Sequence, residues 1–335
     1  LGAAIKDKSD YHVFVVRSTV LPGTLDELVI PTLEEHSGKK CNQDFGVCFQ
    51  PEFLREGSSI KDYDKPPFTV VGTHKEDQRP ADALRKIFGH LPCEVVVTDV
   101  RSAEMLKMCC NTFHALKLTF ANEVGRISQA IDVDSREVMK LLCMDTQLNI
   151  SKAYMRPGFA FGGSCLPKDV RGLTSLGRLN HANTPMLEAL MLSNRIHVEH
   201  AIDMVLQSKK RKVGMVGLSF KSGTDDLRES PLVTIAEAFI GKGLNLEIYD
   251  PEVNVARLVG ANKKYIEESI PHIAELMRDD VSKVLSNADV VVVGLGDKDL
   301  LAAVREHARE DQLILDLVDM PEPEKIAGTV QGICW

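Results

Sequence analysis

The chain has 335 residues, 44% hydrophobic and 26% charged, which is ordinary for a globular protein of two or three domains, or of one large domain, with a substantial core. A formal net charge of −8 and the lack of a basic block argue against a nucleic-acid or anionic-membrane surface. No apolar run reaches the roughly 20 residues of a membrane helix. The eight cysteines are scattered and show neither a CxxC motif nor the spacing of Cys/His metal ligands, which favours a reducing cytoplasm and no structural zinc.

Residues 1–98 alternate short apolar segments with amphipathic ones. Strands are predicted at residues 11–17, 45–49, 68–72 and 94–98, and helices at residues 24–35 and 75–88. This alternation predicts parallel strand pairing in a doubly wound sheet, whose ligands lie beyond the carboxyl ends of the strands. The polar residues at such ends are Ser18, Thr19, Glu52 and Glu56.

A long helix is predicted over residues 101–130, which contain no proline. Lys107, Asn111, His114 and Leu118 are spaced so that they share one face of this helix. On the usual amphipathic pattern, such a stripe is a solvated surface. Two further helices are predicted at residues 134–142 and 186–206.

Between these two helices, residues 159–169 read FAFGGSCLPKD. Cys165 follows two glycines and precedes Pro167, which suits the first turn of a helix because its missing N–H costs nothing there. Cys165 is therefore predicted at a helix N-terminus, with Lys168 one turn away. Both features lower the pKa of a thiol.

An isolated cysteine beside a tight turn is most often an inert, buried side chain. Gly162 and Gly163 allow the backbone to approach a ligand closely, and together with the Lys-Asp pair that follows they favour a nucleophile. A cysteine hydrolase or acyltransferase is one alternative. It requires a histidine within hydrogen-bond distance of the thiol, and the nearest in sequence is His181.

The C-terminal third begins a second α/β unit. Strands are predicted at residues 212–218, 246–250, 290–294 and 313–317, and helices at residues 230–242 and 271–277. Residues 217–220, read GLSF, echo a glycine-rich phosphate turn only weakly, so a second dinucleotide site is not predicted.

Residues 158–169, GFAFGGSCLPKD, resemble the catalytic signature of the nucleotide-sugar 6-dehydrogenases, the UDP-glucose and GDP-mannose dehydrogenase family. The GDP-mannose 6-dehydrogenase branch is resembled by the flanking segments NISK (149–152), YMRPG (154–158), GTDDLRESP (223–231) and GICW (332–335). The resemblance extends over essentially the whole chain.

The resemblance implies two Rossmann-like doubly wound domains joined by a long central helical dimerisation region, with the first domain incomplete. The expected domains are residues 1–98 for the remainder of the NAD-binding domain, 99–208 for the central region with the cysteine loop, and 209–335 for the nucleotide-sugar (GDP) binding domain. By comparison with the family, roughly a hundred residues that carry the NAD pyrophosphate site are absent before Leu1. The chain is accordingly expected to be N-terminally truncated and to bind NAD poorly.

The implied activity is the NAD-dependent, four-electron oxidation of GDP-mannose to GDP-mannuronate, as synthesis of an acidic polysaccharide of the alginate type requires. It would proceed through a thiohemiacetal and a thioester on Cys165, in a cytoplasmic homodimer or higher homo-oligomer. Two further readings stay open. One keeps the chemistry on another nucleotide sugar, such as UDP-glucose or an N-acetylated hexosamine. The other is a non-catalytic fragment that binds nucleotide sugar and dimerises.

The resemblance also assigns roles to individual residues. Cys165 is the nucleophile, Lys107 the cation and Asn111 the hydrogen-bond donor at the oxyanion, while Asp169, Thr19 and Glu52 position the base or the hydrolytic water. The spacing does not decide which carboxylate is the base. The implied substrate contacts are Leu54, Arg55, Glu56, Lys107, Asn111, His114, Asn122, Tyr154, Arg156, Phe159, Gly162 and Lys221. The implied NAD contacts are Thr19, Glu56, Lys168 and Arg228, and no metal is implied.

Arg156 and Lys221 are expected to face phosphate or sugar oxygens, and Tyr154 and Phe159 to pack on the guanine or ribose. Ala153 stands where the GDP-mannose branch usually carries a second aromatic residue. This difference reduces stacking on the base and leaves the nucleotide specificity open.

Overall fold

The computed structural model describes residues 1–54, 58–75, 77–253 and 271–335. These residues form two compact units, Leu1–Thr119 and Phe120–Trp335, each with its own sheet and apolar core. The division falls inside a single long helix, Val100–Ala130.

The first unit is built on a four-stranded sheet of order β1-β2-β3-β4. Its strands are β1 (His12–Val16), β2 (Phe45–Phe49), β3 (Thr69–Thr73) and β4 (Val95–Asp99). Its helices are α1 (Ile30–Ser37), α2 (Ser59–Asp64), α3 (Gln78–Phe88) and the first part of α4 (Val100–Ala130), with a 3-10 turn at Ala3–Ile5 and a π-helical turn at Leu25–Val29.

The prediction of parallel pairing is wrong at one place in this sheet. β1 pairs with β2 and β3 with β4 in parallel, but β2 and β3 are antiparallel. Parallel neighbours need a crossover connection that packs on the sheet. The short helix α2 buries none of its residues, so it provides no such packed crossover between β2 and β3.

The core of the first unit lies on both faces of the sheet. Phe45, Val47 and Phe49 alternate along β2 toward one apolar cluster, and Cys48 points into the other. Because both faces are covered, every residue of β2 and β3 is buried. This explains why the two strands read as apolar runs without alternation.

The second unit combines helices with a parallel five-stranded sheet of order β6-β5-β7-β8-β9. Its helices after α4 are α5 (Ser135–Met144), α6 (Leu166–Leu179), α7 (Pro185–Gln207), α8 (Pro231–Gly241), α9 (Pro271–Ala274), α10 (Val281–Asn287) and α11 (Lys298–His307), with a 3-10 turn at Pro323–Lys325. Its strands are β5 (Lys212–Val216), β6 (Asn245–Tyr249), β7 (Val290–Val293), β8 (Leu313–Asp316) and β9 (Thr329–Gly332).

The strand order changes direction at β5, which has β6 on one side and β7 on the other. In a doubly wound sheet, ligands bind beyond the carboxyl end of the strands at this switch point. The segment that leaves β5 there, residues 217–230, is called the β5–α8 loop below.

Most predicted elements are confirmed to within a few residues. Helix α9 is shorter than predicted, and α2, α10, α11 and β9 were not predicted. The four-residue strand β9 reads TVQG, which has no apolar run by which it could have been detected. None of the described helices is long and apolar enough to cross a membrane.

Candidate active site

Cys165 lies at the N-terminal end of α6, as predicted, in the position that directly precedes the first helical residue. Its thiol is exposed, Pro167 is buried within the first turn, and the Asp169 N–H donates to the Cys165 carbonyl at 2.9 Å. An anionic sulfur at this position is stabilised by the positive end of the helix dipole. The alternative that Cys165 is a buried side chain is therefore wrong.

The two glycines before Cys165 are required by close packing. A Cβ on Gly162 would lie 2.4 Å from the Glu229 carbonyl oxygen and 2.5 Å from Pro231 Cδ. Gly163 has a φ of +83°, and a Cβ there would lie 2.8 Å from the Phe220 ring. The backbone before Cys165 therefore rests directly on the β5–α8 loop and the first residue of α8.

An ion pair adds a second link between α6 and the β5–α8 loop. The Arg171 guanidinium contacts both Glu229 carboxylate oxygens, at 2.6 and 3.3 Å. Glu229 itself has a φ of +55°, an unusual conformation for a residue with a side chain. The Arg171 ion pair thus helps to hold the loop in the conformation that places the Glu229 carbonyl against Gly162.

Arg228 lies in the same loop and is held by its neighbour Asp226. Arg228 Nε and Nη2 each donate to one Asp226 carboxylate oxygen at 2.8 Å. The pKa of Arg228 is raised first by this hydrogen bond, then by the Asp226 charge, and to a smaller degree by the charge of the Cys165 sulfur. The guanidinium is thus within electrostatic range of the Cys165 sulfur.

The other predicted ligand residues of the second unit differ in exposure. Arg156 is 72% exposed in its side chain, and its Nε donates to Asp319 Oδ2 at 2.5 Å. An ion pair this exposed contributes about 0–1 kcal/mol, so a phosphate could replace the carboxylate. Tyr154 is 84% exposed. Phe159 is half-buried against the apolar core, with its ring centroid 6.1 Å from that of His197.

The remaining predicted residues of this unit are exposed. The Lys221 ammonium lies 5.6 Å from the Phe220 ring centroid, and the Lys168 ammonium lies 3.2 Å from Asp169 Oδ1. Asn122 on α4 is also exposed and lines an open cleft with residues of the α4–α5 turn.

In the first unit, Lys107 is buried, with 5% of its surface exposed. Its ammonium donates to the Glu52 backbone carbonyl, lies 3.1 Å from Glu52 Oε1, and sits 5.4 Å from the Phe53 ring centroid. The solvated-stripe reading of this helix face is wrong at Lys107. Asn111 and His114, farther along the face, are exposed.

The environment of Glu52 sets its ionisation. Burial raises the pKa of this carboxyl, but the Leu54 N–H, which donates to Oε2 at 2.7 Å, and the Lys107 ammonium together lower it below the usual value. Glu52 is therefore ionised at neutral pH and is a weakened base. Its contacts suit it to orienting Lys107.

A cavity of about 390 Å³ adjoins these residues within the first unit. Its lining includes three predicted site residues, Glu52, Leu54 and His114, and four aromatic side chains, Phe53, Tyr63, Phe68 and Phe88. Thr19 is exposed beyond β1, whose carboxyl end lies at the same sheet edge as that of its parallel partner β2. Arg55 and Glu56 lie outside the described residues.

The sequence analysis missed the acidic partners of the cations. Asp226, Glu229 and Asp319 each bind an arginine, and Asp250, directly after β6, binds the β5–α8 loop. For Asp250 a signal existed, because a dinucleotide-binding unit carries an acidic residue at the end of its second strand.

The requirement of a cysteine hydrolase is not met by His181. Cys165 precedes the first residue of α6 and His181 follows its C-terminal end. A helix of 14 residues separates them by about 21 Å at 1.5 Å per residue. His181 therefore cannot act as a base for the Cys165 thiol.

Three family models match the chain. They describe the UDP-glucose/GDP-mannose dehydrogenase family and correspond to its NAD binding domain at residues 2–92, its central domain at 101–196 and its UDP binding domain at 214–322. The chain belongs to the UDP-glucose/GDP-mannose dehydrogenase family. The three matches lie within the three predicted domains, whose boundaries at 98/99 and 208/209 stay a prediction.

Individual family members are similar over all or nearly all of the chain. A GDP-mannose 6-dehydrogenase of Pseudomonas aeruginosa is 50% identical and one of Azotobacter vinelandii 48% identical, each over 100% of this chain and 76% of the relative. A UDP-glucose 6-dehydrogenase of Haloferax volcanii is 31% identical over 94% of this chain and 72% of the relative. The crystal structure of a ternary complex of GDP-mannose dehydrogenase from Pseudomonas aeruginosa superposes with a TM-score of 0.94, at 50% identity, covering 100% of this chain and 76% of that one.

The packing at Gly162 generates a prediction. We expect Gly162→Ala to displace the backbone before Cys165, because its Cβ would meet the Glu229 carbonyl at 2.4 Å. Overpacking of this kind costs about 1–3 kcal/mol, and the rate at which iodoacetamide alkylates Cys165 should change several-fold. Mass spectrometry of the Cys165 peptide and urea unfolding measure the two effects. Gly158→Ala, whose Cβ meets nothing within 4 Å, is the control and should leave the alkylation rate unchanged.

Proposed function

We propose that this protein is an NAD-dependent GDP-mannose 6-dehydrogenase, which oxidises GDP-mannose to GDP-mannuronate in the cytoplasm for an acidic exopolysaccharide of the alginate type. The observation that carries the chemistry is the exposed Cys165 thiol at the N-terminus of α6, on a backbone that rests on the β5–α8 loop. The 48–50% identity to GDP-mannose 6-dehydrogenases supports the choice of substrate.

Cys165 is the nucleophile in this proposal. The thiolate adds to the carbonyl carbon of the aldehyde formed from the C6 alcohol, and the carbonyl oxygen takes up the negative charge. Oxidation of this thiohemiacetal gives a thioester. Attack by water then breaks the C–S bond, which releases the carboxylic acid and restores the thiol.

Two side chains of α4 stabilise the oxyanion. The Lys107 ammonium is desolvated, and its contacts with Glu52 hold it in one orientation, so its charge costs little reorganisation when the oxyanion forms. Asn111, one turn further along α4, donates a hydrogen bond to the same oxygen. Asp169 and Thr19 position the water, and the lowered pKa of Glu52 argues against it as the base.

The substrate is held through its phosphates and its base. Arg156 exchanges Asp319 for a phosphate or sugar oxygen, and Lys221 provides a second exposed cation. Tyr154, with a free ring, packs on the guanine or ribose. The other proposed contacts are Leu54, Arg55, Glu56, His114, Asn122, Phe159 and Gly162.

NAD⁺, when bound, accepts the hydride in each of the two oxidations. The side chains present suit contacts to part of the dinucleotide: Lys168 and Arg228 are accessible cations beside the N-terminal end of α6, and Thr19 offers an exposed hydroxyl beyond β1. With Glu56, these residues would hold it.

The protein is proposed to be a homodimer or higher homo-oligomer. Helices α4 to α7 leave many large apolar side chains exposed, which is unfavourable unless another surface covers them. These include Leu116, Leu118, Leu141, Met144, Leu192 and Ile196.

A first prediction concerns the nucleophile. Cys165→Ser is expected to abolish formation of the sugar acid, because a serine hydroxyl is not ionised at neutral pH and makes a poor leaving group, while the Kd for GDP-mannose changes less than about threefold. Product analysis by mass spectrometry and titration calorimetry measure these quantities. Cys143→Ser alters another exposed thiol and should behave as wild type. Normal acid formation by the Cys165 variant would refute the covalent scheme.

A second prediction concerns the sugar nucleotide. In a substrate panel followed by NADH absorbance, GDP-mannose should give the highest kcat/KM, above UDP-glucose and UDP-N-acetylhexosamines. Greater turnover of UDP-glucose would replace the proposed substrate and keep the chemistry. Binding of GDP-mannose without NADH formation by the wild-type chain would favour the non-catalytic reading.

A third prediction concerns assembly. Sedimentation equilibrium should give a dimer or a larger species, and the double substitution Leu192→Glu, Ile196→Lys should shift it toward monomer because charges would enter an apolar contact. Ile60→Glu changes an apolar residue on α2 that is even more exposed, and it should leave the mass unchanged. A monomeric wild type would contradict the proposal.

A further inference from the structure

Asp250 is a buried carboxylate, 5% exposed, that follows β6 directly. Its Oδ2 accepts hydrogen bonds from the Leu218 N–H at 2.8 Å, the Ser219 N–H at 2.8 Å and the Ser219 hydroxyl at 3.0 Å. Its Oδ1 accepts from the Glu252 and Val253 N–H groups at 3.0 and 3.3 Å. One side chain therefore ties the segment after β6 to the start of the β5–α8 loop.

Asp250 lies at the end of the second strand of this unit, where a dinucleotide-binding unit also carries an acidic residue. In a dinucleotide-binding unit, the turn after the first strand offers N–H groups to a phosphate, and an acidic residue at the end of the second strand binds the ribose. Here the acidic residue itself takes two N–H groups of the turn. The protein thus supplies its own anion at a place where a phosphate could otherwise bind, and the bonds hold the loop instead of a ligand.

The bonds of Asp250 continue into both ends of the loop. The Ser219 hydroxyl lies 3.2 Å from the Lys221 carbonyl, which gives it a second acceptor besides Asp250. At the far end of the loop, the Ser230 hydroxyl donates to the Leu218 carbonyl at 2.7 Å. Leu218 is therefore fixed through its N–H by Asp250 and through its carbonyl by Ser230.

The loop held in this way touches the backbone of the nucleophile. Phe220 fills the space above Gly163, and the Glu229 carbonyl meets Gly162. Lys221 and Arg228, the proposed ligand contacts, lie between Phe220 and Glu229 in the sequence of the loop. A shift of the loop would therefore move the cations and the Cys165 backbone together.

We propose that Asp250 is a positioning residue for the Cys165 site. Through Leu218 and Ser219 it fixes the β5–α8 loop, and through Phe220 and Glu229 the loop fixes the backbone that leads to Cys165. The part of this proposal that concerns substrate rests on the proposed function, because Lys221 is assigned there as a ligand contact.

Asp250→Asn tests the proposal because the amide keeps the size of the side chain but has only one acceptor oxygen. Either the turn of Leu218 and Ser219 or the segment at Glu252 and Val253 then faces an NH₂ group in place of an oxygen. Glu123→Gln is the matched control. Glu123 is 0% exposed and accepts the Met186 and Leu187 N–H groups at 2.9 Å each, so it loses comparable bonds without a described contact to the loop.

Three quantities are measured on each purified variant: the rate at which iodoacetamide alkylates Cys165, by mass spectrometry of its peptide; the Kd for GDP-mannose, by calorimetry; and the Tm, from fluorescence of the single tryptophan, Trp335. Asp250→Asn should change the alkylation rate at least threefold and raise the Kd about tenfold, as expected for loss of a hydrogen bond to a charged group. Glu123→Gln should lower the Tm without changing the other two quantities.

Unchanged alkylation and Kd in Asp250→Asn would overturn the proposal, and so would equal changes in Glu123→Gln, since the role would then be general stability. Should Asp250→Asn not fold, Ser219→Ala removes one of the donors to Asp250 and should shift the same quantities by a smaller factor; wild-type values there would overturn the proposal. If wild-type protein does not bind GDP-mannose, the proposed function fails, while the alkylation rates still decide the role of Asp250.

Discussion

Buried carboxylates that accept hydrogen bonds from main-chain N–H groups hold several turns of this protein in place. One of these turns lies before α1 in the first unit, and the others lie in the second unit. Glu104 holds Gly23 and Leu25 in the turn that leads into α1, and Glu123 holds the first turn of α7. Asp250 holds the loop after β5, and Asp316 holds residues 318–320 after β8. A buried charge is costly unless its hydrogen bonds are satisfied, so each of these carboxylates permits one arrangement of the backbone around it. The segments that follow β5 and β8, at the carboxyl edge of the second sheet, are thereby held by the protein's own side chains.

The cations among the proposed site residues bind acidic side chains, whereas these carboxylates bind main-chain N–H groups. Lys107, Arg156 and Arg228 are each held by an acidic neighbour, Glu52, Asp319 and Asp226 respectively. Lys107 is buried and keeps its partner, which suits a fixed charge beside a developing oxyanion. The two arginines are largely or partly exposed, so the contacts that orient them contribute little energy and can be exchanged for phosphate. The proposed catalytic cation, Lys107, is therefore buried, whereas the proposed ligand-binding cations, Arg156 and Arg228, are accessible to solvent.

The local elements were largely predictable from residue patterns. The apolar runs of β2, β5 and β7 and the long proline-free stretch of α4 are predictable because such patterns are properties of neighbouring residues. The antiparallel pairing of β2 and β3 was not predicted, since it depends on where a connection packs and not on what the strands contain. β9 was missed because a four-residue strand at the edge of a sheet needs no apolar run.

The candidate site divides in the same way. The start of a helix at Cys165 is predictable from its neighbours, because Pro167 suits the first turn of a helix, and the length of the signature around Cys165 carries the family resemblance. The packing of sheets and helices decides that Lys107 is buried against Glu52, that Gly162 meets the Glu229 carbonyl, and that Asp250 holds the β5–α8 loop. These contacts join residues 31 to 67 positions apart, whose approach depends on how sheets and helices pack, whereas a helix start depends on the few residues around it.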